Sequence, residues 1–300
     1  MSNFALTGVL APVFGVIAVG WLTSRLLPKS KEWIEPLNGY AYYVALPSLV
    51  IQSLWSATLS PFTLRTLTLN ALTILASMMA LYSLASALGV RGTTRSIFTV
   101  AGVFGNVAYL GYPLSLSKYG TLGLSVAITN SMVYNLIVFT LGIWLLRRDT
   151  NIPLRRSLAD PLLLSTLIGV LLSALGLPKV AALEPLLRAL SSSALPVALF
   201  ALGLFMGSRG FKGNRLGLVF ALTGIKFILL PSLLITFNTF LRVSGVEFAV
   251  SLIQAMAPLA VSNFVLASRY ALDVEVIADS IILSTSLSFI LYWLLLSSVG

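Results

Sequence analysis

Two apolar stretches of this 300-residue chain are interrupted near their middles by residues that break helices or carry amide groups. The residues at the two interruptions are Asn106, Pro113, Pro258, Ser262 and Asn263. Proline removes a backbone N–H donor and clashes with the carbonyl four residues earlier, so an interruption frees backbone polar groups. In lipid, such groups are tolerated only inside the protein or beside a wet cavity. The pair of interruptions predicts a binding site for a polar solute, although a proline kink would explain either one alone.

One lysine, Lys226, lies in the middle of another apolar stretch. A charge at the bilayer centre costs about 2.5–3.5 kcal/mol on insertion scales, which gives a reason to look for its role. Lys226 could attract an anionic substrate or support the interrupted helices electrostatically. The alternative is a lysine held by backbone carbonyls at a break, with a structural role alone. The positive N-terminal ends of half-helices would also favour an anion.

Further neutral polar residues lie within the apolar stretches and are candidates for the same site. They are Gln52, Asn70, Tyr109, Tyr112, Asn130, Tyr134 and Asn135. Buried Asn and Gln side chains often form hydrogen bonds between helices, so each is a weak indication by itself. Asn130 and Asn135 are favoured because their stretch directly follows the first interruption.

The composition excludes several kinds of chemistry. Cysteine and histidine are both absent, which excludes disulfides, Cys/His metal sites and histidine proton relays. The nine carboxylates lie near the ends of apolar stretches, with Asp279 the deepest, so ion coupling through a buried carboxylate is disfavoured. Sodium bound by neutral oxygens stays open. Without a buried carboxylate pair or metal cluster, the chain is expected to be neither an enzyme nor a user of cofactors.

The elements that position these residues are predicted to be membrane-spanning helices. Hydrophobic residues make up 58% of the chain and charged residues 9%, and the apolar stretches have the length of about 20 residues that a helix needs to cross a bilayer. We predict ten spans, at 4–26, 34–56, 62–88, 95–117, 121–146, 159–177, 183–206, 216–239, 245–268 and 275–298. The protein is therefore expected to be a multi-pass protein of the plasma membrane.

The Lys and Arg residues between the spans predict the orientation. One set of alternate loops holds 13 of them and the opposite set holds 5. The positive-inside rule places the first set in the cytoplasm and both termini on the non-cytoplasmic side. The net charge of +10 is thus explained by topology, and no nucleic-acid partner is expected.

A repeat divides the chain into two halves. Pro161 and Pro196 lie 149 residues after Pro12 and Pro47, and Gly169 follows Gly20 at the same offset. Each half, residues 1–150 and 151–300, would hold five spans, and an odd number forces the second half to enter the membrane upside down. The predicted fold is all-α, with two inverted five-helix repeats and broken crossover helices 4 and 9. Inverted repeats are typical of secondary transporters that work by alternating access.

These features together resemble the auxin efflux carrier family, which includes the plant PIN branch and bacterial permeases for malate- or malonate-like acids. The resemblance rests on the order of several short motifs along the whole chain. They are Pro12 with Gly20, Asn38 with Ala45-Leu46-Pro47, Gly105-Asn106 with Gly111-Tyr112-Pro113, Asn135, Lys226 with Pro231, Pro258, and Ala267-Ser268-Arg269-Tyr270. The long loop between the halves of plant PIN proteins is missing here, which puts auxin itself in doubt as the substrate.

The resemblance implies a scaffold of spans 1, 2, 6 and 7, often dimeric, and a mobile transport unit of spans 3–5 and 8–10. It places Asn106, Pro113 and Pro258 where the broken helices cross, and Asn135 and Lys226 in the mobile unit. The similar sodium/bile-acid symporters use a glutamate on span 9 to bind sodium, and this chain has no carboxylate at that depth.

The resulting functional hypothesis is a carrier that moves a small organic anion through an elevator-like motion. The substrate would be a carboxylate, auxin-like or a dicarboxylate, and export would be driven by the membrane potential. The alternatives are a sodium- or proton-coupled symporter on the same fold and a membrane sensor that binds without transport. The expected partners are the anion, the lipid bilayer and a second copy of the chain bound through the scaffold helices.

Overall fold

The computed structural model describes residues 3–55, 61–148, 161–261, 263–264, 267 and 273–298. Over these residues the chain is helical apart from short connections and one isolated β-bridge. The helices of the first half are α1 (Asn3–Leu26), α2 (Ile34–Tyr40), α3 (Leu46–Leu54), α4 (Pro61–Ala87), α5 (Gly92–Val103), α6 (Tyr112–Ile137) and α7 (Ile143–Arg148). Those of the second half are α8 (Pro161–Ala174), α9 (Glu184–Arg209), α10 (Leu216–Leu241), α11 (Gly245–Ala255) and α12 (Val274–Ser298).

Several connections between these helices keep the chain helical in another form. A 3₁₀ segment, Pro28–Trp33, precedes α2, and π-helical turns join α2 to α3, precede α6 and precede α7. α6 bends at Gly120, whose φ of 63° and ψ of −155° are not helical, at the place where the sequence predicts a boundary between two spans.

Five helical segments are individually long and apolar enough to cross a membrane. They are Leu64–Ala87, Val107–Leu146, Glu184–Arg209, Leu216–Leu241 and Val274–Leu296. α5 and α11 have only 12 and 11 residues, about half of what a bilayer crossing requires. The all-helical membrane architecture is thus present, with short helices where the sequence predicts broken ones. The number of spans and the inversion of the two halves stay predictions.

α1 and α9 pack so closely that their backbones touch. A Cβ atom added to Gly203 would collide with the carbonyl oxygen of Ile17, and one added to Gly20 would collide with that of Phe200. Gly207 is equally restricted, by the Ser24 hydroxyl. Small residues are favoured between membrane helices because lipid gives no hydrophobic driving force, so close van der Waals packing has to supply the attraction. These glycines therefore join α1 and α9 into one rigid pair.

A second close approach joins α3 to α8. A Cβ atom on Gly169 would lie 2.8 Å from the Cβ of Leu54 and 3.5 Å from the Cα of Ile51. Gly20 and Gly169, which the repeat aligns, thus serve the same purpose in two different helix pairs. α3 also packs against α9, so α1, α2, α3, α8 and α9 form one contiguous group.

The remaining helices form a second group around the two short helices. α4 packs against α5, α6 and α10, while α11 packs against α6 and α10, and α10 packs against α12. The interior of this group contains most of the buried polar side chains of the described residues, including Asn70, Asn130, Lys226 and Gln254. Such a polar interior is unusual for helices surrounded by lipid and marks this group as the place for chemistry.

The glycine contacts of α1 and α9 lead to a stability prediction. Gly203→Ala is expected to lower the free energy of unfolding by about 1–3 kcal/mol, because the added methyl forces two backbones apart. Gly224→Ala is the matched control, since its Cβ would meet nothing within 4 Å. Thermal unfolding in detergent measures both variants. Equal melting temperatures for the two would contradict the backbone contact.

Candidate functional site

The two interruptions cross each other at the centre of the second helix group. Gly105 and Leu259 form an isolated antiparallel β-bridge. The amide of Asn106 donates to the carbonyl of Pro258 at 2.7 Å, and the amide of Ala260 donates to that of Phe104 at 3.0 Å. The backbone groups freed by the breaks therefore satisfy one another. The structure brings together the two segments that the sequence marks separately, although they lie about 150 residues apart.

The C-terminal ends of α5 and α11 converge on this crossover. The last four carbonyls of a helix lack partners within the helix, so a buried end needs other donors. At the end of α11 all four have one. Leu252 O accepts from Met256 N at 3.0 Å, Ile253 O from the Tyr292 hydroxyl at 3.0 Å, Gln254 O from Ala257 N at 3.1 Å, and Ala255 O from Lys226 Nζ at 3.2 Å. The end of α11 is thus completed by two side chains from other helices.

Tyrosines complete the ends of both short helices. The Tyr134 hydroxyl donates to the carbonyl of Val103, the last residue of α5, as that of Tyr292 does near the end of α11. Tyr292 was not among the residues picked out from the sequence. In the sequence Tyr292 is simply a tyrosine on an apolar helix, which is also the pattern of an aromatic residue at the membrane interface.

Lys226 lies directly behind the crossover. It is fully buried on α10, and a Cβ atom on Gly105 would lie 3.0 Å from its Nζ. Glycine at position 105 is therefore what gives the ammonium group room. Within the described residues, the ion pairs involve other side chains, so no carboxylate lies within 4.0 Å of Lys226. Its hydrogen bond is to Ala255 O, at the negative end of the α11 dipole, where a cation is stabilised.

Asn106 lies at the start of the helical segment that follows the first interruption. Its side chain is buried, yet its amide Nδ2 has no hydrogen-bond partner among the described residues. Asn106 is neither helical nor extended, with φ −79° and ψ 55°, and the Val107 amide donates to the Gly105 carbonyl across it at 2.8 Å. A buried donor without a partner costs about 1–3 kcal/mol, which a bound acceptor would recover.

Asn263 ties the second interruption to the first. Its Nδ2 donates to the carbonyl of Phe104 at 2.9 Å, while its Oδ1 has no partner among the described residues. The amide of Leu259 donates to the Ser284 hydroxyl at 3.1 Å, which connects the same segment to α12. Pro258 contributes its carbonyl to Asn106. Ser262 lies outside the described residues.

Asn130 belongs to a hydrogen-bond network between helices. Its Nδ2 donates to the Ser251 hydroxyl at 3.0 Å, and Asn70 from α4 donates to the same oxygen at 3.0 Å. Nearby, Gln254 donates to the carbonyl of Ala127 at 2.8 Å. Ser251, Asn70 and Gln254 thus hold α4, α6 and α11 together. Ser251 and Gln254 were not predicted from the sequence, because their partners lie on neighbouring helices and leave no signal in the local sequence.

The remaining candidates make their contacts partly beside the crossover and partly away from it. Tyr112 begins α6 and shares a hydrogen bond with Ser131, and Pro113 is buried beside it. Tyr109 donates to Asn38 Oδ1 at 3.3 Å and so links the crossover segment to α2 in the first helix group. Asn135 is buried one turn beyond Ser131 on α6. Gln52 accepts from Ser191 of α9, in the first group, and the structure does not bring it to the crossover.

The chemical character of the crossover follows from the side chains that meet there. In the part of the chain that the structure describes, no three His, Cys, Asp or Glu side chains cluster as a metal site would require. The groups present are a buried ammonium, an unpaired amide donor and a helical N-terminus, and each of these favours negative charge nearby.

Known proteins similar to this chain are transporters by name. A 28% identical relative from Methanothermobacter thermautotrophicus, called "Uncharacterized transporter", matches over 95% of both chains. A 26% identical relative from Rhizobium meliloti, called "Putative malonate transporter", matches over 94% of this chain and 92% of its own. "Auxin efflux carrier component 8" of Arabidopsis thaliana is 31% identical over 43% of this chain and 36% of its own length.

The family model described as membrane transport protein matches residues 5–152 and 145–296, which together cover nearly the whole chain. The matched residues include both interruptions and Lys226. The resemblance stated from the sequence motifs is thereby confirmed. The chain belongs to the auxin efflux carrier family of membrane transport proteins.

Proposed function

We propose that this protein is a secondary transporter that carries a small organic anion past the crossover of its two interrupted helices. The observation that carries the proposal is a buried, unpaired Asn106 amide directly after Gly105, whose missing side chain leaves room for the buried Lys226 ammonium. A carboxylate accepting from Asn106 would complete that donor. It would also bring a negative charge close to a positive one that has no carboxylate partner among the described residues.

The substrate we propose is a dicarboxylate of malonate-like size. The name of the Rhizobium relative supports this choice, because that chain matches over nearly its full length. The plant relative matches over less than half of this chain, which gives auxin weaker support. Asn106, Pro113 and Pro258 would form the binding site, with Asn263 and Asn135 beside it. Lys226 would act from behind, through its charge.

The motion we propose moves the second helix group against the first. We call α1–α3, α8 and α9 the scaffold body, and α4–α7 and α10–α12 the transport body. Backbone contacts at Gly20, Gly169 and Gly203 hold the scaffold body together, and the buried network around Ser251 does so in the transport body. If one body slides against the other, these contacts within each body would stay intact. Each body takes helices from both sequence halves, and the predicted inversion of those halves would support alternating access.

The energy source we propose is the membrane potential acting on the anion. One elementary charge gains about 2.3 kcal/mol per 100 mV on leaving a cell that is negative inside. The described crossover has no carboxylate that could bind a coupling proton or sodium ion. Export of an anion would then need no coupling ion.

The test is a flux measurement in proteoliposomes made from the purified protein. A potassium diffusion potential that is positive inside is expected to drive labelled malonate into the vesicles at least several-fold faster than no potential. Protein-free vesicles are the control. Binding of malonate without flux would favour a sensor, and absence of both binding and flux for malonate and related carboxylates would contradict the proposal.

A sodium-coupled symporter is the second candidate. Asn263 Oδ1 and Thr285 Oγ1 are buried oxygen atoms that lack partners in the part of the chain that the structure describes. Neutral oxygens of this kind can bind a hard cation, which prefers oxygen ligands. A sodium gradient that accelerates malonate uptake at zero potential would support this candidate against the uniporter.

A further inference from the structure

The segment that joins α9 to α10 is held against α12 by an unusually complete set of polar contacts. This α9–α10 linker comprises residues 210–215. Three carboxylates in the first two turns of α12 or just before it, Asp273, Glu275 and Asp279, accept five hydrogen bonds from it. The linker donors are Arg215 Nη1 to Asp273 at 2.8 Å, Lys212 Nζ to Glu275 at 2.5 Å, Asn214 Nδ2 to Glu275 at 2.6 Å, and the backbone amides of Lys212 and Gly213 to Asp279 at 3.0 and 2.9 Å.

Asp279 is the central member of this set. It is only 1% exposed, and its two carboxylate oxygens each accept from one backbone amide of the linker. A buried carboxylate is costly unless it is hydrogen-bonded, so these two bonds are hard to lose. The pairs of Glu275 and Asp273 are more exposed and contribute less. The linker backbone is therefore anchored to α12 mainly through Asp279.

The linker connects elements of two different bodies. α9, which precedes it, contacts α1 through the backbone at Gly203 and Gly207, whereas α10, which follows it, packs on α12. Gly210 and Phe211 stand between the end of α9 and the first anchored residue, Lys212. The φ of 66° and ψ of 171° at Gly210 lie in a region of the Ramachandran map that is essentially open to glycine alone. A change of angle between the bodies at this end of the molecule has to be absorbed there.

We propose that residues 212–215 travel with α12 as a fixed part of the transport body, and that Gly210 is the hinge between α9 and α10. This inference rests on the proposed motion of the two bodies. In this account Asp273, Glu275 and Asp279 anchor the linker and take no part in substrate binding. Two kinds of contact at this end of α9 are then expected to behave differently during the motion. The polar contacts between the linker and α12 would be kept, whereas the ring contact of Phe205 with Phe264 would change.

Phe205 and Phe264 provide the comparison that tests the hinge. Phe205 lies on α9 in the scaffold body, and its ring is 5.2 Å from that of Phe264, which follows the second interruption. The guanidinium of Arg209 also lies 5.5 Å from the Phe264 ring. These contacts join the two bodies directly, so a relative motion must change them. The linker contacts, in contrast, should be the same in every state.

Cross-linking distinguishes the two kinds of contact, and the natural absence of cysteine makes the background clean. A short bis-methanethiosulfonate reagent bridging Lys212→Cys and Glu275→Cys is expected to leave malonate flux in proteoliposomes within about twofold of the unbridged variant. The same reagent bridging Phe205→Cys and Phe264→Cys is expected to reduce flux more than tenfold, with recovery on adding a reductant. Flux that stops with the first bridge, or survives both, overturns the proposal.

Hydrogen exchange tests the anchoring without any substrate, and so separates its failure from a failure of the proposed function. In the unmodified protein the amides of Lys212 and Gly213 are expected to exchange slowly, and Asp279→Asn is expected to speed their exchange at least tenfold. Glu184→Gln, which removes a carboxylate paired only within α9, is the matched control and should leave the linker unchanged. Exchange at the rate of an open loop in the unmodified protein overturns the proposal even if malonate is transported.

Discussion

Lys226→Met is expected to reduce malonate transport by at least one order of magnitude while leaving the protein as stable as before. The lysine is fully buried and its one described hydrogen bond is to a neutral carbonyl. Removing a buried charge in favour of an apolar side chain of similar volume is often neutral or stabilising, by about 1–4 kcal/mol. The Ala255 carbonyl would lose its donor, which costs about 1–3 kcal/mol. These two effects nearly cancel.

The effect on transport has no such compensation. If the bound carboxylate lies about 8 Å from the ammonium, a unit charge contributes roughly 2 kcal/mol at an effective dielectric constant of about 20. That energy corresponds to about 30-fold in affinity. Lys226→Gln keeps a donor for Ala255 and should lose transport to a similar extent, which separates the charge from the hydrogen bond.

Malonate flux and thermal unfolding, measured on the same preparations, check this result. Thr223→Val is the matched control, because it lies one turn away on α10 and removes a buried hydroxyl that has no partner among the described residues. It should keep normal flux. A Lys226→Met protein that transports normally would remove the charge from the mechanism, and one that unfolds would assign the lysine to structure alone.

Asn106→Ala is expected to weaken malonate binding by about 10- to 150-fold, since a hydrogen bond to a charged group contributes roughly 1.5–3 kcal/mol. The fold should tolerate the change. The backbone amide of Asn106, which pairs with Pro258, is retained, and the lost Nδ2 atom has no partner among the described residues. Removing an unpaired buried donor relieves an unfavourable burial.

Asn70→Ala provides the contrast. Its Nδ2 donates to the Thr66 carbonyl and to the Ser251 hydroxyl, so its loss should lower the melting temperature and leave affinity for malonate nearly unchanged. Isothermal titration and thermal unfolding measure the two quantities. The assignment of Asn106 to the binding site fails if Asn106→Ala lowers stability without lowering affinity, or if both variants behave alike.

The sequence indicated the crossover well because its signals are local. Proline and glycine disrupt a helix wherever they stand, and Asn106 and Asn263 lie within a few residues of the breaks they mark. Lys226 stood out for the same reason, as a single charge among apolar neighbours. The sequence also singled out Asp279 as the carboxylate farthest inside a predicted span, and the structure shows that its side chain is buried.

The sequence was less informative wherever the deciding partner lies on another helix. Asn130 looked like Asn106 as a candidate. Its side-chain amide donates a hydrogen bond to Ser251, whereas that of Asn106 has no partner among the described residues. Gln52 was expected near the site and contacts Ser191 in the scaffold body instead. Tyr292, Gln254 and Ser251 have polar groups whose purpose shows only beside the helix ends and carbonyls that they meet.

The sequence by itself determined that this is a helical membrane protein, where its two helices break and which family it belongs to. Hydrophobicity and helix-breaking act within a single segment, so both can be recognised without the fold. Only the tertiary structure decided that the breaks pair with each other, that Gly105 leaves room for Lys226, and that the buried Asn106 amide has no partner among the described residues. These facts depend on which residues meet across about 150 positions of chain. No local property of either segment encodes that meeting, since it is set by the packing of all the helices around them.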